Sequence, residues 1–149
     1  MNQIMKVIST NRKAEYNYFI LDKFIAGIVL TGTEIKSIRH SNVNIGDSYC
    51  FFDNNELFIK QMHIPPYKRG NIYNHGEYRV RKLLLNRHEL NKLIRKKIDG
   101  MSIIPTRVII NGNLVKIEIA LAKGKKAYDK REAIKKRDIE REIRLKDIP

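Results

Sequence analysis

Ile103-Ile104-Pro105-Thr106-Arg107-Val108-Ile109-Ile110 and Leu114-Val115-Lys116-Ile117-Glu118-Ile119-Ala120-Leu121, joined by Asn111-Gly112-Asn113, decide how this chain folds. In the second run Val115, Ile117, Ile119 and Leu121 face one way and Lys116 and Glu118 the other. That is the period-two pattern of a strand with one buried face. The first run is rich in β-branched residues, and Asn-Gly between two such runs signals a hairpin. Pro105 has no amide hydrogen to give to a ladder, so it predicts an edge or a bulge in that strand.

Similar signals recur upstream. Tyr16 to Leu21 and Ala26 to Thr31 read as strands, with Gly27 and Gly32 marking close backbone approaches. Thr33 to Ser41 predicts a short helix, capped by Thr33, with Ile35 and Ile38 on one side. Ser48 to Phe52 and Glu56 to Gln61 flank the turn Asp53-Asn54-Asn55. Lys68 to Glu77 is a polar loop, and Arg79 to Leu85 reads as a strand. Asn86 and Glu89 have capping-box spacing and open a helix with Leu90, Leu93, Ile94 and Ile98 inward, stopped by Asp99-Gly100. No internal repeat is visible. These elements predict a mainly β domain over residues 1–122: a small, partly open antiparallel barrel of the oligonucleotide-binding type, with two short helices.

Residues 123–149 differ in kind. After Gly124 no Gly or Pro appears before Pro149, and Lys, Arg, Glu, Ala and Ile dominate. Asp129 and Glu132 have capping-box spacing, and Glu132→Lys136, Glu140→Arg144 and Glu142→Lys146 are favourable i,i+4 pairs. The apolar residues Ile134, Ile139, Ile143, Leu145 and Ile148 form no stripe wide enough for a core. The tail is a basic helix in search of an anionic surface. The composition fits equally a tail that in the free protein is merely a solvated charged helix or a disordered segment.

Lys and Arg number 30 against 16 Asp and Glu in 149 residues, a net charge of +14. Such a surplus points to nucleic acid or an anionic membrane, not to small acidic substrates. No apolar run reaches the roughly 18 residues of a membrane span, and the N-terminus has no signal-peptide core. Cys50, the one cysteine, excludes an intrachain disulfide and fits a reducing cytoplasm.

Catalytic and metal-binding patterns are missing. His40, His63, His75 and His88 lack the spacing of a metal pair and fit ordinary surface positions. Lys123-Gly124-Lys125-Lys126 lacks the first glycine of a phosphate loop. Glu34 and Asp47 read as cap and turn residues. The basic residues are more informative. Arg79 and Arg81 alternate onto one face beside Lys82, Arg12 and Lys13 precede the first predicted strand, and Lys116 points outward. Lys123, Lys125 and Lys126 follow the last strand. On a small barrel these merge into a positive face. Tyr16, Tyr18, Tyr67, Tyr73 and Tyr78 offer surfaces for stacking, or else serve as core and rim residues.

An ordered set of blocks resembles the small protein B family, the SsrA-binding proteins that partner transfer-messenger RNA (tmRNA) in bacterial ribosome rescue. The blocks are Asn11-Arg12-Lys13-Ala14, the run from Ala26 to Ser37, Asp47-Ser48-Tyr49, the run from Arg79 to Leu85, Ala122 to Lys126, and Asp129-Lys130-Arg131. Two positions depart from the family pattern. Ile25 stands where the family has Glu, one of its RNA-contact positions, and Glu77 where it has Pro. No role is carried onto Ile25.

The resemblance implies a monomeric cytoplasmic adaptor, without catalysis, metal or cofactor. It binds the elbow of the tRNA-like domain of tmRNA and escorts the charged RNA, with elongation factor Tu, into a stalled ribosome. There the basic tail enters the vacant messenger channel near the decoding centre and folds as a helix. The tmRNA face it implies comprises Asn11, Lys82, Leu84 and Lys116, together with the basic Arg12, Lys13, Arg79 and Arg81; Leu84 fits a plain core role equally. The ribosome contacts it implies are Lys123, Gly124 as a hinge, Lys125, Lys126, Tyr128, Lys130 and Arg131. A structural ribosomal protein or RNA chaperone of the same barrel type is the competing reading. A nuclease would need a catalytic constellation that these residues do not offer.

Overall fold

The computed structural model describes residues 5–67, 74–126 and, in the tail, 131, 135, 137 and 139. The elements in chain order are β1 Met5–Thr10, α1 Arg12–Asn17, β2 Tyr18–Ile28, α2 Gly32–Arg39, β3 Tyr49–Asp53, β4 Glu56–Lys60, β5 Arg81–Leu84, α3 Arg87–Lys96, β6 Met101–Asn111 and β7 Leu114–Gly124. Every strand pairing is antiparallel, in the order β1-β6-β3-β4-β5-β2-β7, and β6 also pairs with β7. The sheet therefore closes on itself, with β1 as an outer flap on β6. The weak seam lies between β3 and β6, joined through the Cys50–Ile103 pair. This is the small antiparallel barrel that the run of short strands predicts, with the single-pair β3–β6 seam as its partly open side.

The β6–β7 hairpin forms as expected, around Gly112-Asn113, with Gly112 at φ +62. Pro105 lies at a bulge in β6, where the register shifts before Arg107. Asn54 and Asn55 both take positive φ, so the β3–β4 turn is the type that asparagine tolerates.

Several expectations change. The strands predicted at Tyr16–Leu21 and Ala26–Thr31 are one strand, β2, and Tyr16 belongs to α1. Pairing with β7 from Tyr18 to Gly27 carries the polar stretch around Asp22 through a bulge, overriding its local preference. Helix α2 is capped by Thr31, not Thr33: the Thr31 hydroxyl accepts from Glu34 N–H, and the Glu34 carboxylate accepts from Thr31 N–H. The capping box was legible in Thr31-Gly32-Thr33-Glu34. In α3 the Asn86 cap holds and Leu93 is buried, but Ile98 lies past the helix end and is exposed. Neither β1 nor α1 was expected. Both are short, and both are held by distant strands: β1 by pairing with β6, and α1 by Ala14 packing on Ile104 of β6 and Ala120 and Ala122 of β7.

That small second core explains another departure. Val115, Ile117, Ile119 and Leu121 face the main core as predicted. Glu118, Ala120 and Ala122 point the other way yet are also buried.

Candidate nucleic-acid interface

The outer face of the barrel is best described as rows across the strands, because directly paired residues share a face. One row runs Leu84 on β5, Gly27 on β2 and Lys116 on β7. Leu84 is half exposed, which removes its alternative reading as a core residue. A Cβ placed on Gly27 would lie 3.5 Å from Leu84 Cβ, so the missing side chain leaves a flat floor between Leu84 and Lys116. A neighbouring row pairs Ile25 with Glu118, and Ile25 is 45% exposed. On the other side Lys82 pairs across β4 with Phe58, whose ring stacks on Phe51. Lys82 Nζ also lies 3.3 Å from Glu56 at the surface.

Arg81 does not belong to this face. Arg79 and Arg81 share a face, as alternation predicts, but they turn to Glu34 inside the molecule. Arg81 and Glu34 are both fully buried and hydrogen-bonded to each other, and Arg81 also donates to the Met62 carbonyl at 2.8 Å. Arg79 donates to Glu34 and remains partly exposed. Burial pushes the Glu34 carboxyl up, but the hydrogen bonds from Arg79, Thr31 N–H and Arg81 outweigh it and hold it below its ordinary value. A positive face assembled from sequence spacing alone loses Arg81 because a carboxylate 47 residues upstream claims it.

Asn11 is buried too. Its Nδ2 donates to the Pro105 carbonyl at 2.9 Å, pinning the β1–α1 corner on the β6 bulge, while Oδ1 has no partner among the described residues. Arg12 and Lys13 follow it, exposed on the first turn of α1. The candidate stacking tyrosines are mostly engaged within the protein. Tyr67 stacks on His40 and Tyr78 on His63, and Arg137 of the tail lies 6.0 Å over Tyr16. Tyr73 lies outside the described residues.

The second predicted cluster starts at the far end of β7. Lys116 and Lys123 are seven residues apart on this strand, roughly 23 Å. Lys123 and Gly124 still belong to β7, opposite Phe19 and Tyr18, so the strand runs two residues past the predicted boundary at 122. Lys125 continues the anchoring: its N–H donates to Asn17 O, and its Nζ donates to Glu15 O and lies 5.0 Å over Phe19. The expected hinge at Gly124 is therefore paired backbone, and the chain leaves the sheet after Lys125. Lys126 is exposed. Tyr128 and Lys130 lie outside the described residues, whereas Arg131, Lys135, Arg137 and Ile139 are helical and exposed.

Among the described residues no group of three or more His, Cys, Asp or Glu side chains could hold a metal ion. Cys50 is buried, and burial pushes its thiol pKa up, which makes it a poor nucleophile. No helix among them is long and apolar enough to cross a membrane. Lys23, Arg107 and Glu118 form a further charged group on the outer face that sequence reasoning missed. The alternation had marked Glu118 as outward, but nothing local reveals that Arg107 and Lys23 converge on it.

An antiparallel barrel whose surface carries Lys82, Lys116 and Lys123, with Arg131, Lys135 and Arg137 on helical positions of its tail, is a nucleic-acid-binding module. Comparison with known proteins narrows the class. The family model for "SmpB protein" matches residues 8–146, and the chain belongs to that family. It is 52% identical over 141 residues to the SsrA-binding protein of Halothermothrix orenii, covering 94% of this chain and 91% of that one. It is 53% identical over 139 residues to the SsrA-binding protein of Acholeplasma laidlawii, covering 93% of each. Among solved structures, one described as "tmRNA-SmpB: a journey to the center of the bacterial ribosome" has a chain that superposes with a TM-score of 0.70 at 38% identity. The match covers 86% of this chain and 94% of that one.

Proposed function

We propose that this protein binds tmRNA and brings it to stalled ribosomes for trans-translation. The observation that carries the reading is the Leu84–Gly27–Lys116 row on a chain of the SmpB family. The row combines a flat backbone floor, an apolar edge and a cation. Such a surface takes a folded RNA backbone and its sugars by shape and charge without demanding one base sequence. Lys82, Arg12 and Lys13 add charge nearby, and Arg79 contributes from the rim. Asn11 and Arg81 act from inside, holding the corner and the loop on which the exposed residues stand.

The barrel holds the tRNA-like domain, while the tail from Lys126 onward enters the empty messenger channel near the decoding centre. Lys123, Gly124 and Lys125 form its anchored root, and Tyr128, Lys130 and Arg131 follow. Elongation factor Tu joins through the charged RNA. The protein works as a cytoplasmic monomer and turns over no bond itself.

The test is binding of the isolated tRNA-like domain across a salt series, beside tagging on stalled ribosomes. Tight, salt-sensitive binding that Lys116→Glu weakens without unfolding the protein is the expected result. A protein that ignores this RNA and remains on ribosomes through a high-salt wash would instead be a structural ribosomal component.

A further inference from the structure

Beside the Leu84–Gly27–Lys116 row lies a charged notch that the reading above does not use. A cleft of about 610 Å³ opens between the start of α1 and the outer face of β2, β6 and β7. Arg12, Lys23, Arg107 and Arg137 line it, against the carboxylates of Glu15 and Glu118, so four cations face two anions. Glu118 is 4% exposed. It accepts a hydrogen bond from Thr106 Oγ1 at 2.9 Å and another from Arg107, and Lys23 Nζ lies 3.4 Å away. Two cations thus converge on one buried carboxylate, leaving one positive charge in surplus. The side chains of Arg107 and Lys23 remain 39% and 53% exposed, so both still reach solvent.

Burial raises the Glu118 pKa, but hydrogen bonds from Arg107 and Thr106 and the charges of Arg107 and Lys23 bring it below the ordinary carboxylate value. The group is charged at neutral pH and holds Arg107 by a hydrogen bond and Lys23 by an ion pair. Restrained side chains lose less freedom when a ligand arrives, which is the usual benefit of preorganisation.

We propose that this notch seats a backbone phosphate of the tRNA-like domain, with Arg107 and Lys23 contacting it and Glu118 positioning them. The inference rests on the reading of the outer face as the tmRNA face. Continuity supports it: Lys116 and Glu118 lie two residues apart on the same side of β7, about 7 Å. Glu118 pairs with Ile25 on β2 and with Arg107 on β6, so the notch is the next row along from Lys116. The surplus positive charge selects a phosphodiester, and Arg137 of the tail, which also lines the cleft, adds to it.

Lys23→Gln and Arg107→Gln are tested against the isolated tRNA-like domain over a salt series. Each should weaken binding several-fold near 0.15 M salt and reduce the slope of log K against log salt by about 1. Lys23→Gln leaves the Arg107–Glu118 pair intact, so it remains informative if Arg107→Gln unfolds. Glu118→Gln removes a negative charge from an RNA face. Simple repulsion would make it bind more tightly, and that outcome would overturn its positioning role; the proposal expects weaker binding. If Lys116→Glu weakens binding while Lys23→Gln and a folded Arg107→Gln keep the parent's affinity and slope, the notch is wrong and the face stands. If Lys116→Glu also has no effect, the face itself is wrong. A loss confined to binding of the small ribosomal subunit would assign the phosphate to ribosomal RNA and overturn the proposal.

Discussion

Glu34 and Arg81 are bonded to each other in full burial, at the centre of a clamp that joins α2 to the loop before β5. Arg81 extends the clamp to the Met62 carbonyl, and Arg79 joins from the rim. The Ser37 hydroxyl donating to Pro65 O and the His75–Thr33 hydrogen bond tie the same loop to α2. The clamp fixes where β5 starts, and with it the outward positions of Lys82 and Leu84.

Breaking one side of this clamp leaves an uncompensated buried charge. Glu34→Ala should therefore cost about 3–5 kcal/mol, read as a lowered urea midpoint. The pH dependence has a definite sign. The folded-state pKa of Glu34 lies below the unfolded value of roughly 4.3, so its stabilisation is complete above that pH and is lost as pH falls through the lowered value. Glu34→Gln, if it folds, should flatten the acid limb of the stability curve. An unchanged acid limb would mean that the pair contributes nothing there.

Gly27 should matter for RNA more than for folding. An added Cβ meets Leu84 only at ordinary contact distance, so Gly27→Ala should fold and bind nearly as the parent does. Gly27→Phe places a ring on the flat floor and should weaken binding of the tRNA-like domain by about tenfold, ~1.4 kcal/mol, with the fold retained by circular dichroism. Full binding by the Phe variant would move the RNA elsewhere on the barrel.

Ile25 is a second probe of the same floor. Its side chain points out beside Lys116 and Glu118, and the Glu118 charge is already held by Arg107 and Lys23. Ile25→Glu should therefore fold, and its affinity for the RNA should equal or exceed the parent's. A clear loss measured by titration would show that this chain uses an apolar contact at that position.

The end of β7 moves the informative truncation point. A chain ending at Ala122 loses the pairing of Lys123 and Gly124 with Phe19 and Tyr18, together with the Lys125 anchors, and should have a lower thermal midpoint. A chain ending at Lys126 keeps them. It should melt close to the parent and retain most of its affinity for the tRNA-like domain, yet fail to support tagging. Ile139→Pro, at an exposed helical position, should cost the tail helix about 3 kcal/mol or more and lower tagging while sparing RNA binding. Full tagging by the chain ending at Lys126 would end the division of labour between barrel and tail.

From the sequence by itself came the β6–β7 hairpin, the Asn54-Asn55 turn, the Asn86 cap, the bulge at Pro105 and the inward face of β7, because each rests on neighbours in the chain. The family pattern was likewise legible in ordered blocks from Asn11 to Arg131. Tertiary structure alone decided the rest. β1 and α1 exist because distant β6 and β7 cover them, and two predicted strands fuse because β7 pairs continuously across the gap between them, from Tyr18 to Gly27. Leu84 and Arg81 fall on opposite faces of β5 by alternation, but only the closed barrel makes one of those faces the outer one and sets Arg81 against Glu34. Charge and alternation are local properties and put a residue on one side of a strand or the other. Which side meets water, and which cation finds a buried carboxylate, depends on what the closed barrel brings from 11 or 47 residues away.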